Sequence, residues 1–318
     1  MKGILLRGGK KGLELTWTLG KVIFPVTLIV TILQFTPVLP WVMGKLEPVM
    51  RLIGLTGEAA VPLVVGNFLN LYAGIAAIIS FEFTVKEVFI LAIMLSFSHN
   101  LLIESTVAKR VGVSWWFVAG VRLSLAFLSA VLINTFWKGG GEVAKYGLAP
   151  EKIAEPDGWP EIIWHGLETA LIGIFQLALI VIPLMMFMQY LREKGWLDLF
   201  SKWVAPFTKF LGMERNTSMT LVAGLTIGLA YGAGLMIQAV EEDGVSKKDM
   251  YLAVLFLVSC HAVVEDTLVF IPLGIPVWPL LAIRLLTAIL LTAAVGFIWN
   301  KLQHERKDTS NEHRYNSF

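Results

Sequence analysis

The sequence predicts an all-α, polytopic membrane protein made of two inverted-topology repeats. Each repeat is expected to hold about three spanning helices, an interfacial helix and a re-entrant hairpin. Three observations predict this. The chain of 318 residues is 56% hydrophobic and 16% charged, with a mean hydropathy of +0.70, whereas soluble domains carry about 25% charged residues. The chain also contains itself twice. KEVFILAIMLSFSHN (86–100) aligns without a gap on KDMYLAVLFLVSCHA (248–262) at an offset of 162, which also carries Arg122 onto Arg284 and Trp137 onto Trp299. Upstream the offset is 158 and pairs Pro25 with Pro183, Pro48 with Pro206, Gly54 with Gly212 and Gly66 with Gly224; an insertion within EEDGVS (241–246) accounts for the change. Third, Lys and Arg are distributed unevenly between the loops on the two sides.

Each repeat reads as four apolar segments. In the first they lie at 16–43, 58–80, 87–107 and 113–137, and in the second at 168–190, 216–240, 249–271 and 277–299. A span needs about 20 apolar residues, and the first, third and fourth segments of each repeat qualify, giving six crossings. Between the first and second segments, KLEPVMRLIG (45–54) and KWVAPFTKFLG (202–212) alternate apolar and basic residues, a pattern suited to a helix lying in the interface. The second segment is rich in Gly and Asn, which suggests a hairpin or broken helix that lines a cavity or is buried in protein.

The charge distribution favours the hairpin. If it re-enters and both termini are cytoplasmic, 18 Lys and Arg fall inside and 6 outside; if it crosses, the count is 15 against 9. The positive-inside rule prefers the first. Three crossings per repeat is odd, so the repeats are inverted. The domains are then a first repeat over 12–137, an external linker over 138–165, a second repeat over 166–299 and a polar cytoplasmic tail over 300–318. The N-terminal MKGILLRGGKKGLEL lacks the long apolar core of a cleaved signal peptide. The expected location is the inner, cytoplasmic membrane.

Ionisable groups inside spans are costly and mark functional sites. The third segments carry His99, Asn100 and Glu104 in one copy, and Cys260, His261, Glu265 and Asp266 in the other. Read as one continuous helix, His261 and Glu265 share a face. The fourth segments carry Arg122 and Arg284, which antiparallel packing brings to Glu104 and to Glu265 or Asp266, as structural ion pairs. Counting Glu58 at the start of the first hairpin, four acids against two arginines leave a formal charge of −2. That surplus suits a bound cation: a proton, sodium or a divalent metal, with His261, Glu265 and Asp266 as metal ligands. In the hairpins Asn67, Asn70, Tyr72, Thr226 and Tyr231 either glue helices together or hydrogen-bond a polar solute.

Other features exclude chemistry. One cysteine, Cys260, excludes a disulfide framework and a Cys-cluster metal site. HExxH is absent, and GGG (139–141) has no P-loop behind it. No feature points to nucleic acid, and no catalytic residue is expected. Trp41, Trp115, Trp116, Trp137, Trp278 and Trp299 sit at segment ends, as membrane anchors do.

The pattern GxTGExxxPLxxG over Gly54–Gly66, the following NFLNLYAG and the duplicated Ser/Cys-His module resemble the Gate, or nucleoside-recognition, domain. Concentrative nucleoside transporters and ferrous-iron transporters share that domain, and small stand-alone prokaryotic membrane proteins carry it alone. The resemblance covers about 12–299. It implies inverted repeats of a span, an interfacial helix, a hairpin and two spans, with Gly57, Glu58 and Pro62 at the place of the first hairpin's polar-acidic motif. The second hairpin departs from the nucleoside carriers, with Asn216, Thr217 and Ser218 where they have a Ser-Glu type motif, and the iron transporters' GTPase domain is not in this sequence. The stand-alone type fits best. The expected function is a secondary transporter or permease working by alternating access on a small solute or cation: a divalent metal, or a proton- or sodium-coupled solute such as a nucleoside. The alternatives are a non-transporting subunit of a membrane complex and an intramembrane metalloenzyme. The partners are lipid, the solute or cation, and further copies of the chain in a homo-oligomer.

Overall fold

A computed structural model describes residues 2–147, 158–229, 234, 236–237 and 244–315. Among them the chain is almost wholly helical. The helices are α1 (Lys2–Gln34), α2 (Val38–Leu52), α3 (Ala60–Phe68), α4 (Leu71–Ile79), α5 (Val85–Ser98), α6 (Leu101–Arg110), α7 (Trp115–Phe136), α8 (Trp159–Glu193), α9 (Trp196–Phe210), α10 (Ser218–Ile227), α11 (Lys247–Ser259), α12 (Glu265–Leu268) and α13 (Val277–Tyr315). Several local elements recur at the sequence offsets. Helices α2 and α9 begin and end 158 residues apart, as do the 3-10 turns Gly57–Ala59 and Arg215–Thr217. Thr84 caps α5 by accepting from the Glu87 amide, and Ser246, 162 residues on, caps α11 by accepting from Asp249.

Among the described residues, five helical stretches are long and apolar enough to cross a membrane: Lys2–Gln34, Val85–Arg110, Trp115–Phe136, Trp159–Leu191 and Val277–Gln303. The sixth expected crossing, over 249–271, is not one helix. It stops at Ser259, Cys260 is extended, and only the four residues of α12 follow. His261 and Glu265 therefore do not share a helical face. The last span continues as helix through the polar tail to Tyr315. The expected linker begins as coil, loses 148–157 to the region outside the described residues, and ends inside α8, which starts at Trp159.

The chain divides into two compact units, one of residues 1–104, 119–196 and 263–284, the other of residues 105–118, 197–262 and 285–318. In the first, α1 packs antiparallel along α8 through small residues. A Cβ on Gly8 would lie 2.5 Å from the Met186 Cα, and one on Gly12 would lie 2.7 Å from the Ile182 Cα. Such close backbone approach is how helices associate where lipid removes the hydrophobic drive. Gly12→Leu should therefore lower the thermal stability of the detergent-purified protein by about 1–3 kcal/mol or more. Gly20→Ala, whose new methyl would meet Ile174 at an ordinary 3.6 Å, should leave it unchanged.

The pair is fastened at one end by Arg7, which donates twice to the Glu193 carboxylate at 2.9 and 2.5 Å. Arg7 and the Gln189 amide hold Glu193 at a pKa of about 2. A depressed carboxyl adds stability above its ordinary range and loses it as pH falls through the folded value. The thermal midpoints of wild type and Glu193→Gln should thus differ at pH 5 and converge toward pH 2.

Helices α3 and α4 form the hairpin expected of the second segment. At nine residues each, and 1.5 Å per residue, either is about 14 Å long, half of what a crossing needs. They turn at Leu69–Asn70, where the Asn70 side chain caps α4 by accepting from the Ala73 amide at 2.9 Å. They pack Gly66 on Gly74, where a Cβ on Gly74 would come within 3.0 Å of the Gly66 Cα. Lys86, in the first turn of α5, donates to the carbonyl and side chain of Asn134 near the end of α7.

The second unit has its own version of these contacts. Lys248 donates to the Gly212 carbonyl and to Asn300 Oδ1, each at 2.9 Å. Gly212, at φ +81°, packs on Gly296. Tyr251 receives the Ser114 amide and packs between Phe117 and Trp299.

Candidate functional site

The site in the first unit grows from a break between α5 and α6. The chain leaves α5 at His99 and turns at Asn100, whose φ of +52° lies in the left-handed region. Asn tolerates that conformation better than most residues. The Asn100 amide donates not to its own helix but to the Gly66 carbonyl in the hairpin, at 2.9 Å. The same device occurs in the second unit: Ala262, at φ +41°, donates to the Gly224 carbonyl at 3.0 Å. There the residue is not Asn, and the left-handed turn costs about 1–2 kcal/mol.

A helix broken inside a membrane leaves carbonyls that water does not reach. Arg122 on α7 supplies the donors. Its Nε donates to the Phe97 carbonyl and its Nη2 to the His99 carbonyl, each at 2.6 Å, while Nη1 lies 2.9 Å from Glu104 Oε2. Arg122 is fully buried and Glu104 nearly so. One guanidinium thus closes the end of α5, where the helix dipole favours a cation, and pairs with an acid on α6.

His99 stands between these groups. Its Nδ1 lies 2.7 Å from the Leu95 carbonyl. A carbonyl only accepts, so Nδ1 carries the hydrogen and Nε2 is the atom able to hold a proton or a metal. Nε2 lies 3.5 Å from Glu104 Oε1, and a ring nitrogen lies within 4.8 Å of an Asp266 carboxylate oxygen. In the second unit His261 adopts the same tautomer, with Nδ1 2.8 Å from the Leu257 carbonyl.

The remaining groups come from 263–284. Arg284, also fully buried, pairs with Asp266 at 3.1 Å and approaches the Thr267 hydroxyl at 3.5 Å. Asp266 is thus one acid that meets Arg284, as the sequence allowed. Both Asp266 and Arg284 act electrostatically on Arg122. Glu265, half-buried, receives a hydrogen bond at Oε1 from the Tyr72 hydroxyl of the hairpin. The residues gathered here include three carboxylates, Glu104, Asp266 and Glu265, and two arginines, Arg122 and Arg284.

Glu58, with Glu82 and Glu87, acts electrostatically on Tyr146 in the linker, whose pKa is raised first by burial and further by these acids, against the lowering effect of the Phe83 amide donating to its hydroxyl. Asn67 donates to the Leu63 carbonyl of its own helix at 2.7 Å, Asn70 is the cap of α4, and Thr226 donates to the Val222 carbonyl at 2.6 Å. Tyr231 lies outside the described residues. Sequence reasoning missed Gln176, a buried amide on α8. A lone Gln within an apolar span was the available signal.

The Gate family, described as nucleoside recognition, matches residues 16–114 and again residues 174–276, together more than half of the chain. The two matches begin 158 residues apart and end 162 apart, the same offsets that relate the repeated motifs. The uncharacterized membrane protein YvoD of Bacillus subtilis (strain 168) is 62% identical over 301 residues, spanning 95% of this chain and 96% of its own length. No solved structure matches. With apolar spans, a broken helix tied to a Gly-rich hairpin and a duplicated match, the chain belongs to the Gate family of membrane proteins.

Proposed function

We propose that this protein is a secondary transporter or permease that moves a small solute or cation by alternating access between two inverted repeats, with both termini at the cytoplasmic face of the cell membrane. One observation carries the reading: beside two buried acid–arginine pairs, Glu104–Arg122 and Asp266–Arg284, stands a third, half-buried carboxylate, Glu265, next to Asp266 in the chain. A fixed surplus charge in a membrane is costly unless a cation offsets it, and a cation that comes and goes can couple to movement. His99, through Nε2, with Glu104, Asp266 and Glu265, is the donor set for that cation. His261 stands at the position of His99 in the repeat-related copy. The same donors suit a divalent metal as cargo or a proton or sodium as coupling ion. Asn67, Asn70, Asn100 and Thr226 are the candidates for contact with a polar solute, a nucleoside being the class that the family description names.

A second reading has an observation in its favour. Arg122 and Arg284 are both paired with acids, as in a protein that works by assembling a membrane complex. A thermal-shift panel separates the two, because a ligand bound only by the folded state raises apparent stability. A divalent metal, sodium or a nucleoside should raise the midpoint, and the same compound should enter proteoliposomes in a saturable manner. No shift from any of them, and no uptake by folded protein, would leave the subunit reading in place.

A further inference from the structure

Helix α9 of the second unit presents three faces. One packs inward: Ser201 and Thr208 are buried, and the Ser201 and Ser218 hydroxyls lie 3.0 Å apart. Opposite it Leu199, Phe200, Trp203, Phe207 and Phe210 are exposed, Trp203 by 65% and Phe210 by 62%. On a helix of 3.6 residues per turn these five fall within a stripe about 100° wide. Lys202 and Lys209, both exposed, edge that stripe. An open apolar stripe edged by lysines is the pattern of a helix seated on a lipid surface.

The repeat-related helix α2 shows what is particular to α9. In α2, Glu47 holds Arg51 at 2.6 Å. Ala205 stands at the Glu47 position in α9, so Lys209 has no such acid one turn back. Over 40–58 and 85–87 the first repeat carries three bases and three acids, whereas over the matching 198–216 and 247–249 the second carries five bases and three acids. One of those three, Asp249, is buried and already lies 3.4 Å from Lys248. Lys202, Lys209, Arg215, Lys247 and Lys301 are exposed, and no carboxylate among the described residues pairs with them. Glu241, Glu242 and Asp243 lie outside the described residues.

Next to this basic rim runs a groove. It has a volume of about 350 Å3 and follows α13 along Val295, Ile298, Trp299, Leu302 and Gln303. The chain leaving α9 meets α13 at the same level, where Gly212 packs on Gly296 and Lys248 reaches Asn300. We infer that this corner of the second unit binds one anionic phospholipid. Its acyl chain lies in the α13 groove, and its phosphate meets the rim of Lys209, Arg215, Lys247 and Lys301. Charge decides the occupant: a zwitterionic headgroup brings its own cation to a rim that is already basic, and an anionic one does not. Each base near an anionic lipid surface adds about a fivefold preference, the equivalent of about 1 kcal/mol. The site stands independently of the transporter reading and of whatever solute or cation is moved.

Phosphatidylglycerol titrated into the full chain in a neutral detergent tests this, with the thermal midpoint as the readout. It should raise the midpoint saturably, and phosphatidylcholine should not. Inorganic phosphate, which has no chain for the groove, should not raise it either. Lys209→Gln, Arg215→Gln and Lys247→Gln should each weaken the apparent affinity for phosphatidylglycerol about fivefold. These side chains are exposed, so the midpoints without lipid should match wild type. Lys209→Arg, which keeps the charge, should bind as wild type does. Ile298→Trp, which narrows the groove and leaves the rim alone, should weaken binding as well. The pair Lys45→Gln, Arg51→Gln on α2 should change nothing. Salt at about 1 M, where the Debye length is about 3 Å, should shrink the difference between the two lipids. The site is overturned if both lipids act alike on wild type, if the rim variants bind as wild type, if the α2 pair weakens binding as much as they do, or if inorganic phosphate alone reproduces the effect. Selective binding without uptake of any solute would leave the site standing and count against the transporter reading. Uptake with no preference for phosphatidylglycerol would do the reverse.

Discussion

Glu104→Leu should cost about 3–5 kcal/mol of stability, the penalty for leaving a buried charge without its partner. Arg122 is fully buried, and Glu104 is its acid at 2.9 Å. The guanidinium cannot shed its charge, nor retreat to water, because its other nitrogens hold the carbonyls of Phe97 and His99. Whole domains are stable by only about 5–15 kcal/mol, so this one change should sharply reduce the yield of folded protein and its thermal midpoint in detergent. Glu104→Gln keeps an oxygen for Arg122 and should fall between the two. The double variant Glu104→Leu, Arg122→Leu removes the charge conflict but also uncaps α5, so it should recover only part of the loss. That pattern is a coupling energy between contacting residues. A Glu104→Leu protein with the wild-type midpoint would show that the pair contributes nothing, and the reading of Arg122 as the pin of the break would go with it.

The Glu104–Arg122 pair is legible in the residues alone. Two antiparallel apolar segments, an acid near the end of one and an arginine two turns into the next, leave few other partners. The first hairpin is legible from Gly and Asn in its segment, and helices α2 and α9 from alternating apolar and basic residues. The broken third segment is not. In the first copy the run from Val88 to Leu95 is wholly apolar, and the Asn100 amide at the break donates to the Gly66 carbonyl on another helix. No local residue announces that contact. In the second copy the chain does carry a signal: Pro272, Gly274 and Pro276 fall within six residues, at the end of what reads as an apolar run, and the helix there is a single turn. That Asp266 meets Arg284 is also beyond the sequence, which offers two adjacent acids. Adjacent residues on a helical turn point about 100° apart, and only the packed neighbours decide which one meets the arginine.

That division between the two adjacent acids leads to the expectation with the largest functional effect. Glu265→Gln should abolish gradient-driven uptake while leaving the thermal midpoint near that of wild type. Glutamine keeps the size of the side chain and an oxygen for the Tyr72 hydroxyl, so the tie between hairpin and α12 survives. What disappears is that surplus charge, the third carboxylate beside the two acid–arginine pairs. Asp266→Asn should behave in the opposite sense. It deprives the fully buried Arg284 of its acid at 3.1 Å, so its first effect is on stability, with uptake lost only as folded protein is lost. Measuring the midpoint and the uptake of both variants in the same proteoliposome preparation separates the roles. If Glu265→Gln unfolds the protein and Asp266→Asn does not, the roles are exchanged and the surplus charge belongs to Asp266. If Glu265→Gln transports as well as wild type, the carboxylate bound by Tyr72 is a structural tie and couples nothing.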